Sequence, residues 1–356
     1  MAGVYDIDGN KIIDGDDLED LLPNRLLIWH DEFNTPNIDE NKWTPQFGKY
    51  WTGMNWGSAD IMRNSASGNG MSYFTVKDYP KEDIDFSTLL IHTAGKFEFR
   101  YGRLEAKVRF PNKNPHHSTF WTLGTGYQLK SNGEDEVAGY GGLTPPSAGE
   151  IDVAEFDNGY VGFRTHYSDD FDSNTFLTGG NVASLTSTPT DWHIYAIEWD
   201  ETSIKSYVDG VLKSTFDTSV ATYANGFNPF KTPHYVIFNC IPKLPADTGS
   251  ITWDTAKTDV KWVRVYAPVG VNNYITDTEL SIPETLSINV NEKKYLFPTF
   301  TPVNPSDGTI RWYSYNEAIA TCYGGIVKGI SVGSTIVKGY TNHGCVAFCK
   351  VTVTEV

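Results

Sequence analysis

The 356-residue chain is poor in cysteine, methionine and positive charge, and it has no long apolar run. Its four cysteines, Cys240, Cys322, Cys345 and Cys349, lack zinc-finger spacing and contain no Cys-x-x-Cys pair. Cys345 and Cys349 lie too far apart along one extended strand to bond directly, while a bridge from Cys322 to either of them stays open. No stretch has the roughly 20 apolar residues of a membrane-spanning helix, so no membrane insertion is expected. No secretory apolar segment follows Met1, since Ala2-Gly3-Val4-Tyr5 leads straight into acidic residues. Basic residues number 28 against 44 acidic ones, for a net charge of −16. That balance argues against a nucleic-acid or anionic-membrane partner, because both need a positive field. It also disfavours a heavily sulfated polysaccharide. Amphipathic helical runs are missing too.

What is there is aromatic residues, turn residues and short alternating runs. The chain has 10 Trp and 20 Tyr. Such rings fill sandwich cores and also stack on the apolar faces of sugars. Apolar alternation runs through Phe97–Phe110, Ile194–Trp199 and Ile204–Val208, with Gly, Asn, Asp and Pro in the gaps. This pattern predicts an all-β fold, a sandwich of antiparallel sheets.

One stretch stands out: Gly149-Glu150-Ile151-Asp152-Val153-Ala154-Glu155-Phe156. On a strand, Glu150 and Asp152 share a face, and Ile151 and Val153 point the other way. Glu155 is out of step by one residue. A β-bulge at Val153-Ala154 returns it to the face of the other two acids. Three carboxylates on one face repel each other, which a merely solvated strand would avoid. Paired carboxyls about 5–5.5 Å apart are what a retaining glycosidase needs.

Glu150-Ile151-Asp152-x-x-Glu155 resembles the signature of the family 16 glycoside hydrolases, in its bulged, laminarinase-like form. Other stretches match in the expected order. They are Leu27–Asn34 with Asn41-Lys42-Trp43, Phe99–Lys107, Phe120–Gly124, Trp192–Trp199, Tyr207–Gly210 and Val263–Tyr266. The resemblance covers roughly residues 25–268. It implies a jelly-roll sandwich whose concave sheet carries a cleft, and a retaining endo-β-glycanase acting on a β-linked polysaccharide, foremost a β-1,3-glucan. Glu150 aligns with the nucleophile, Glu155 with the acid/base and Asp152 with the carboxylate between them. Trp121, His166 and Asn239 align with cleft walls. Trp51, Asn55 and Trp56 lie in an early loop suited to distal sugar subsites. Arg164 is a further substrate-binding candidate; clustered with Arg63 and Arg100 in the cleft, it favours an anionic galactan of the agarase, porphyranase or carrageenase kind instead. A non-catalytic glycan-binding or adhesion protein is the other alternative.

Many family members hold a structural calcium near the Glu of the opening strand, here Glu32. The aspartate expected before Trp262 is Lys261, whose ammonium cannot ligate a cation. The expectation is therefore no metal and no cofactor, with Lys261 paired to Glu32. The resemblance also implies an extracellular or cell-surface monomer.

The chain divides on paper into an N-terminal extension (1–24), the hydrolase region (25–268), a linker (269–276) and a second small sandwich (277–356). In the extension, Asp6–Asp17 resembles a calcium loop of the EF-hand or dockerin kind, but its sixth position is Lys11, where the turn wants Gly. A hairpin between Val4-Tyr5 and Ile12-Ile13 is the simpler reading. Residues 125–148 break the strand rhythm and lead into Glu150, as a loop bordering the cleft would. Residues 277–356 have short, closely spaced strands without an acidic cluster. They resemble the bacterial Ig-like domains of group 2, which act as spacers or glycan binders.

Overall fold

The computed structural model describes residues 4–5, 11–13, 21–22, 24–46, 48–49, 56–58, 65–67, 70–77, 86–111, 113, 116–129, 140–241 and 254–355. The architecture is all-β, as the alternation predicts. Seven strands form the cleft sheet: β1 (Thr44–Pro45), β2 (Leu89–His92), β3 (His117–Gly124), β4 (Glu150–Asp157), β5 (Tyr160–Tyr167), β6 (Leu177–Val182) and β7 (His234–Ile241). Their spatial order is β6-β5-β4-β3-β7-β2-β1. A second sheet of 11 strands covers its back, centred on Gly102–Arg109, His193–Trp199 and the 12-residue strand Thr255–Tyr266.

Alternation decides which side chains fill the space between the sheets. On β7, Val236, Phe238 and Cys240 point into this core, and Tyr235, Ile237 and Asn239 face the cleft. Phe238 stacks on Phe120 of β3 at 4.9 Å and packs against Trp43 and Tyr73. Burying each such ring contributes about 1.5–3 kcal/mol, so the cleft sheet rests on a well-packed base.

The hairpin expected in the extension is present: Val4–Tyr5 pairs antiparallel with Lys11–Ile13. The segment before β4 is more regular than expected. Tyr127–Gln128 pairs with Tyr140–Gly142, and Pro145–Ala148 forms one helical turn. All four cysteines are free thiols, so the Cys322 bridge left open by the sequence does not form.

Residues 277–356 carry their own strand set. Ile310–Ser314, Gly333–Thr341 and Val346–Thr354 pair in sequence, and Thr285–Asn289 adds in parallel to the last. Ile288, Leu296, Val337 and Val351 lie in a core of their own. This set is also docked on the hydrolase region. Ile326 is buried with Leu143, Ala148, Tyr223 and Phe227, and Lys293 pairs with Asp172 at 2.8 Å.

Candidate active site

β4 is where the two sheets and the cleft chemistry meet. Asp152 pairs with Trp121 and Arg164, Phe120 pairs with Ala154, and Glu155 pairs with Gly162. One residue of β4 is therefore extra between Asp152 and Ala154, the bulge that the acidic spacing predicted. Ile151, Val153, Ala154 and Phe156 are all buried in the core. Glu150, Asp152 and Glu155 line one cavity of about 280 Å³ on the opposite face. Just before them, Gly149 has φ of +81°, and a Cβ there would sit 2.6 Å from Pro229 Cβ. Only glycine brings the chain into β4 at this angle.

Each acid has a distinct partner. Glu150 is hydrogen-bonded to Asp152. Burial, with the Asp152 charge beside it, pushes the Glu150 carboxyl well above the usual carboxylate range. Asp152 Oδ2 lies 3.2 Å from His166 Nε2, and His166 Nδ1 meets Thr178 Oγ1 at 3.0 Å. Glu155 is ion-paired with Arg164 and lies 3.8 Å from His117 Nε2. The Arg164 guanidinium lies over Gly162, where an added Cβ would come 2.7 Å from Nη1. Glycine at that position gives the guanidinium its seat.

Trp121 and Asn239 line the same cavity, and the indole Nε1 donates to Asn239 Oδ1 at 2.7 Å. The ring is thus held in one orientation across two neighbouring strands. Trp51 and Asn55 lie outside the described residues. Trp56 begins the short strand Trp56–Ser58, and its side chain is likewise outside them. Arg100 does not reach the cleft: it bonds Asn304 and the Lys231 carbonyl. Arg63 falls outside the described residues.

The sequence reading missed His117, Tyr127, Leu129 and Phe176, which also line the cavity. His117 and Thr119 stand on the cleft face of β3 in step with Trp121, so strand alternation was the available signal. Phe176 is 57% exposed and packs against the His166 ring at 5.0 Å. It comes from an irregular segment, which has no periodicity to read.

Among the described residues, Glu150, Asp152 and His166 are the His and carboxylate group whose ligand atoms lie within 4.8 Å of one another. A cation held there would neutralise the charge that the cleft concentrates. On the outer sheet, Glu32 has a different partner from the expected Lys261. Arg264 Nε and Nη2 donate to its two oxygens, both at 2.9 Å, and His30 adds a contact at 3.2 Å. Lys261 falls at a register shift, where Trp262 pairs with Lys107 and Val260 with Val108. With both Glu32 oxygens taken by a cationic fork, the residues present do not fit a metal at this place.

Comparison with known proteins agrees with this geometry. The family described as Glycosyl hydrolases family 16 matches residues 74–264, more than half of the chain. A β-glucanase of Rhodothermus marinus is 27% identical over 242 residues, covering 63% of this chain and 78% of its own length. Glucan endo-1,3-beta-glucosidase A1 of Niallia circulans is 27% identical over 268 residues, covering 67% of this chain but only 37% of its own length. The catalytic domain of a Thermotoga maritima laminarinase shares the fold at a TM-score of 0.55 and 23% identity, over 70% of this chain and all of that domain. The acidic bulged strand, the sandwich that carries it and the family match converge: the chain belongs to family 16 of the glycosyl hydrolases.

Proposed function

We propose that the chain is a retaining endo-β-glycanase that hydrolyses a neutral β-linked polysaccharide, foremost a β-1,3-glucan. The observation that carries the mechanism is the bulge, which puts Glu150, Asp152 and Glu155 on one wall of one cavity. Glu150 is the nucleophile and Glu155 the acid/base. Burial and the Asp152 charge raise the Glu150 pKa, so the empty cleft favours the neutral form of this carboxyl, and the nucleophile has to be ionised when the sugar is attacked. The hydrogen bond to Asp152 holds the Glu150 carboxyl in place for attack on the anomeric carbon. Asp152 is itself oriented by His166.

Glu155 must carry a proton when the glycosidic oxygen arrives, so its ion pair with Arg164 has to open as the sugar enters. Proton transfer to the departing oxygen accompanies formation of the glycosyl-Glu150 ester. The ester has no charge, and Glu155 then removes a proton from the incoming water. Trp121, fixed by Asn239, supplies an aromatic wall for the sugar ring.

The names of the two glucanase relatives support a glucan, although a keratan-sulfate endo-1,4-beta-galactosidase of Sphingobacterium multivorum is also 27% identical; the placement of arginine favours the glucan. Arg100 is engaged elsewhere, leaving Arg164 as the arginine lining the cleft side of Glu155 among the described residues. An anionic galactan would call for more than one such cation. No structural calcium is proposed at Glu32, because Arg264 fills that role. Residues 277–356 are read as a bacterial Ig-like module, and the protein as an extracellular monomer. Reducing ends released from laminarin, lichenan, agarose and carrageenan test the substrate. Laminarin should be cut fastest, and faster release from agarose or carrageenan would overturn the glucan reading. Proton NMR of the first products should show the β anomer; an α anomer at early times would mean inversion.

A further inference from the structure

Across the cleft sheet from the acids, beyond β7, lies a second cavity of about 370 Å³. One side is built from the hydrolase region: Thr44 on β1, His92 on β2, and Ala94. The facing side comes from the C-terminal strands: Trp312, Tyr323 and Tyr340. Leu129 lines this cavity and also the one that holds the three acids. The two spaces therefore adjoin, and they follow each other across the strands of one sheet face. Leu90 of β2 lines the first cavity and His92, two residues along on the same face, lines the second.

We propose that the C-terminal region is part of the substrate site, and that this cavity binds a distal sugar of a glycan chain lying across the cleft sheet. The inference rests on the reading of the chain as a glycanase. The chemistry suits a sugar: three aromatic rings to stack on C–H faces, with the tyrosine hydroxyls and the Arg311 guanidinium for its O–H groups. Trp312 stands on the inner face of its strand, while Tyr313 and Tyr315 on the outer face are exposed. Tyr340 reaches the cavity from the other face, where it pairs with Arg311. The wall is also held in place. Arg311 Nε donates to the Gly95 carbonyl at 3.1 Å, Gly308 N–H to the Glu98 carbonyl at 2.8 Å, and Asn342 to the Lys96 carbonyl at 3.3 Å. A Cβ on Gly324 would sit 1.7 Å from the Thr125 carbonyl oxygen, so backbones of the two regions touch directly.

The test alters the cavity from both sides in the full chain. Tyr340→Ala removes a ring from the C-terminal wall, and Ala94→Trp fills the space from the hydrolase wall. The readout is the ratio of kcat/KM on laminarin to kcat/KM on laminaritetraose. The ratio should fall about tenfold in both variants, because only the longer chain reaches the second cavity. An unchanged ratio in both overturns the proposal. A fall in Tyr340→Ala alone, with a lowered Tm, is a folding effect and also overturns it. Should the wild type cut lichenan or agarose instead of laminarin, the β-1,3-glucan reading fails. The same length ratio on that polymer and its tetrasaccharide then decides the subsite. Should it cut none of them, retardation of wild type and variants in gels containing these polymers decides it by binding alone.

Discussion

The two faces of the sandwich both carry acidic side chains, and they treat them in opposite ways. On the outer sheet several buried or half-buried acids have a guanidinium partner. Glu32 is forked by Arg264, and Arg103 bridges Glu105 at 2.7 Å and Glu198 at 3.1 Å, with Arg25 adding to Glu198 at 2.6 Å. The Arg264 pair raises no problem of charge, and Glu32 is held below its ordinary carboxylate value despite burial. In the cleft, three acids share one arginine and two imidazoles, and Glu150 rises well above its ordinary value. Paired charge closes a surface; under-compensated charge stores reactivity. By this criterion Glu150 weakens the fold and the Glu32 pair supports it, while Glu105, raised by burial despite Arg103, stands between them.

Removing one acid from the cleft should separate these roles most sharply. Glu150→Gln should lower kcat by about four orders of magnitude while glycan retardation in gels persists. The same variant should raise Tm at pH 7. The sign follows from linkage: a carboxyl whose folded pKa is raised binds its proton more tightly when folded, so its destabilising effect grows as pH rises above the unfolded value. The Tm gap should accordingly close towards about pH 4. Substantial turnover by Glu150→Gln would remove the nucleophile assignment, and a lower Tm at pH 7 would remove the electrostatic contrast.

On the outer face the expected sign is reversed. Arg264→Leu leaves the Glu32 carboxylate buried without its fork, which should cost about 3–5 kcal/mol in urea unfolding. Glu32→Leu combined with Arg264→Leu should recover most of that loss, since a buried pair replaced by apolar groups is often neutral. A double variant as unstable as the single one would show that the guanidinium matters through its 4.0 Å contact with the Trp262 ring rather than through charge.

Glu98 sharpens the contrast from the seam between the two regions. It is 2% exposed, accepts from Gly95 N–H at 2.9 Å, and burial pushes its pKa up to about 8. Its unfolded value is about 4.3, so the folded protein binds the extra proton between the two. Stability from this group is complete at low pH and is lost as pH rises through about 8. Glu98→Gln keeps the acceptor for Gly95 and cannot ionise. Its Tm should match the wild type near pH 4 and exceed it at pH 9. Parallel Tm curves across that range would show that Glu98 is hydrated at the seam.

How much of this was legible in the sequence depended on periodicity. The parity of Glu150, Asp152 and Glu155 demanded a bulge, and the register of β4 contains it. Trp121 and Asn239 came from the family likeness, and alternation would have added His117. Phe176 and Leu129 sit in segments without a period, so only the folded chain brings them to the cleft. The seam was illegible for the same reason. Several of its polar contacts join residues more than 200 positions apart, such as Arg311 to Gly95, through backbone carbonyls that leave no trace in residue type. The partner of Glu32 was misread because a strand position was counted straight through a register shift, and Lys261 stands at that shift.

That correction sets up the smallest expected effect. If Lys261 had replaced a metal, Lys261→Ala would carry the loss now assigned to Arg264→Leu. Instead Lys261 is partly exposed, and its substitution should cost under about 1 kcal/mol. The Glu32 oxygens have no room for a cation while Nε and Nη2 of Arg264 each stand 2.9 Å away. EDTA should therefore leave the Tm of the wild type unchanged, and added calcium should leave it unchanged as well. In Arg264→Leu the fork is gone and His30 is the contact left to the carboxylate, so calcium there has an open anionic partner. Calcium that raised the Tm of the wild type, and did so less in Glu32→Gln, would place a metal on Glu32 after all. It would put the outer face, like the cleft, among sites whose charge awaits a ligand.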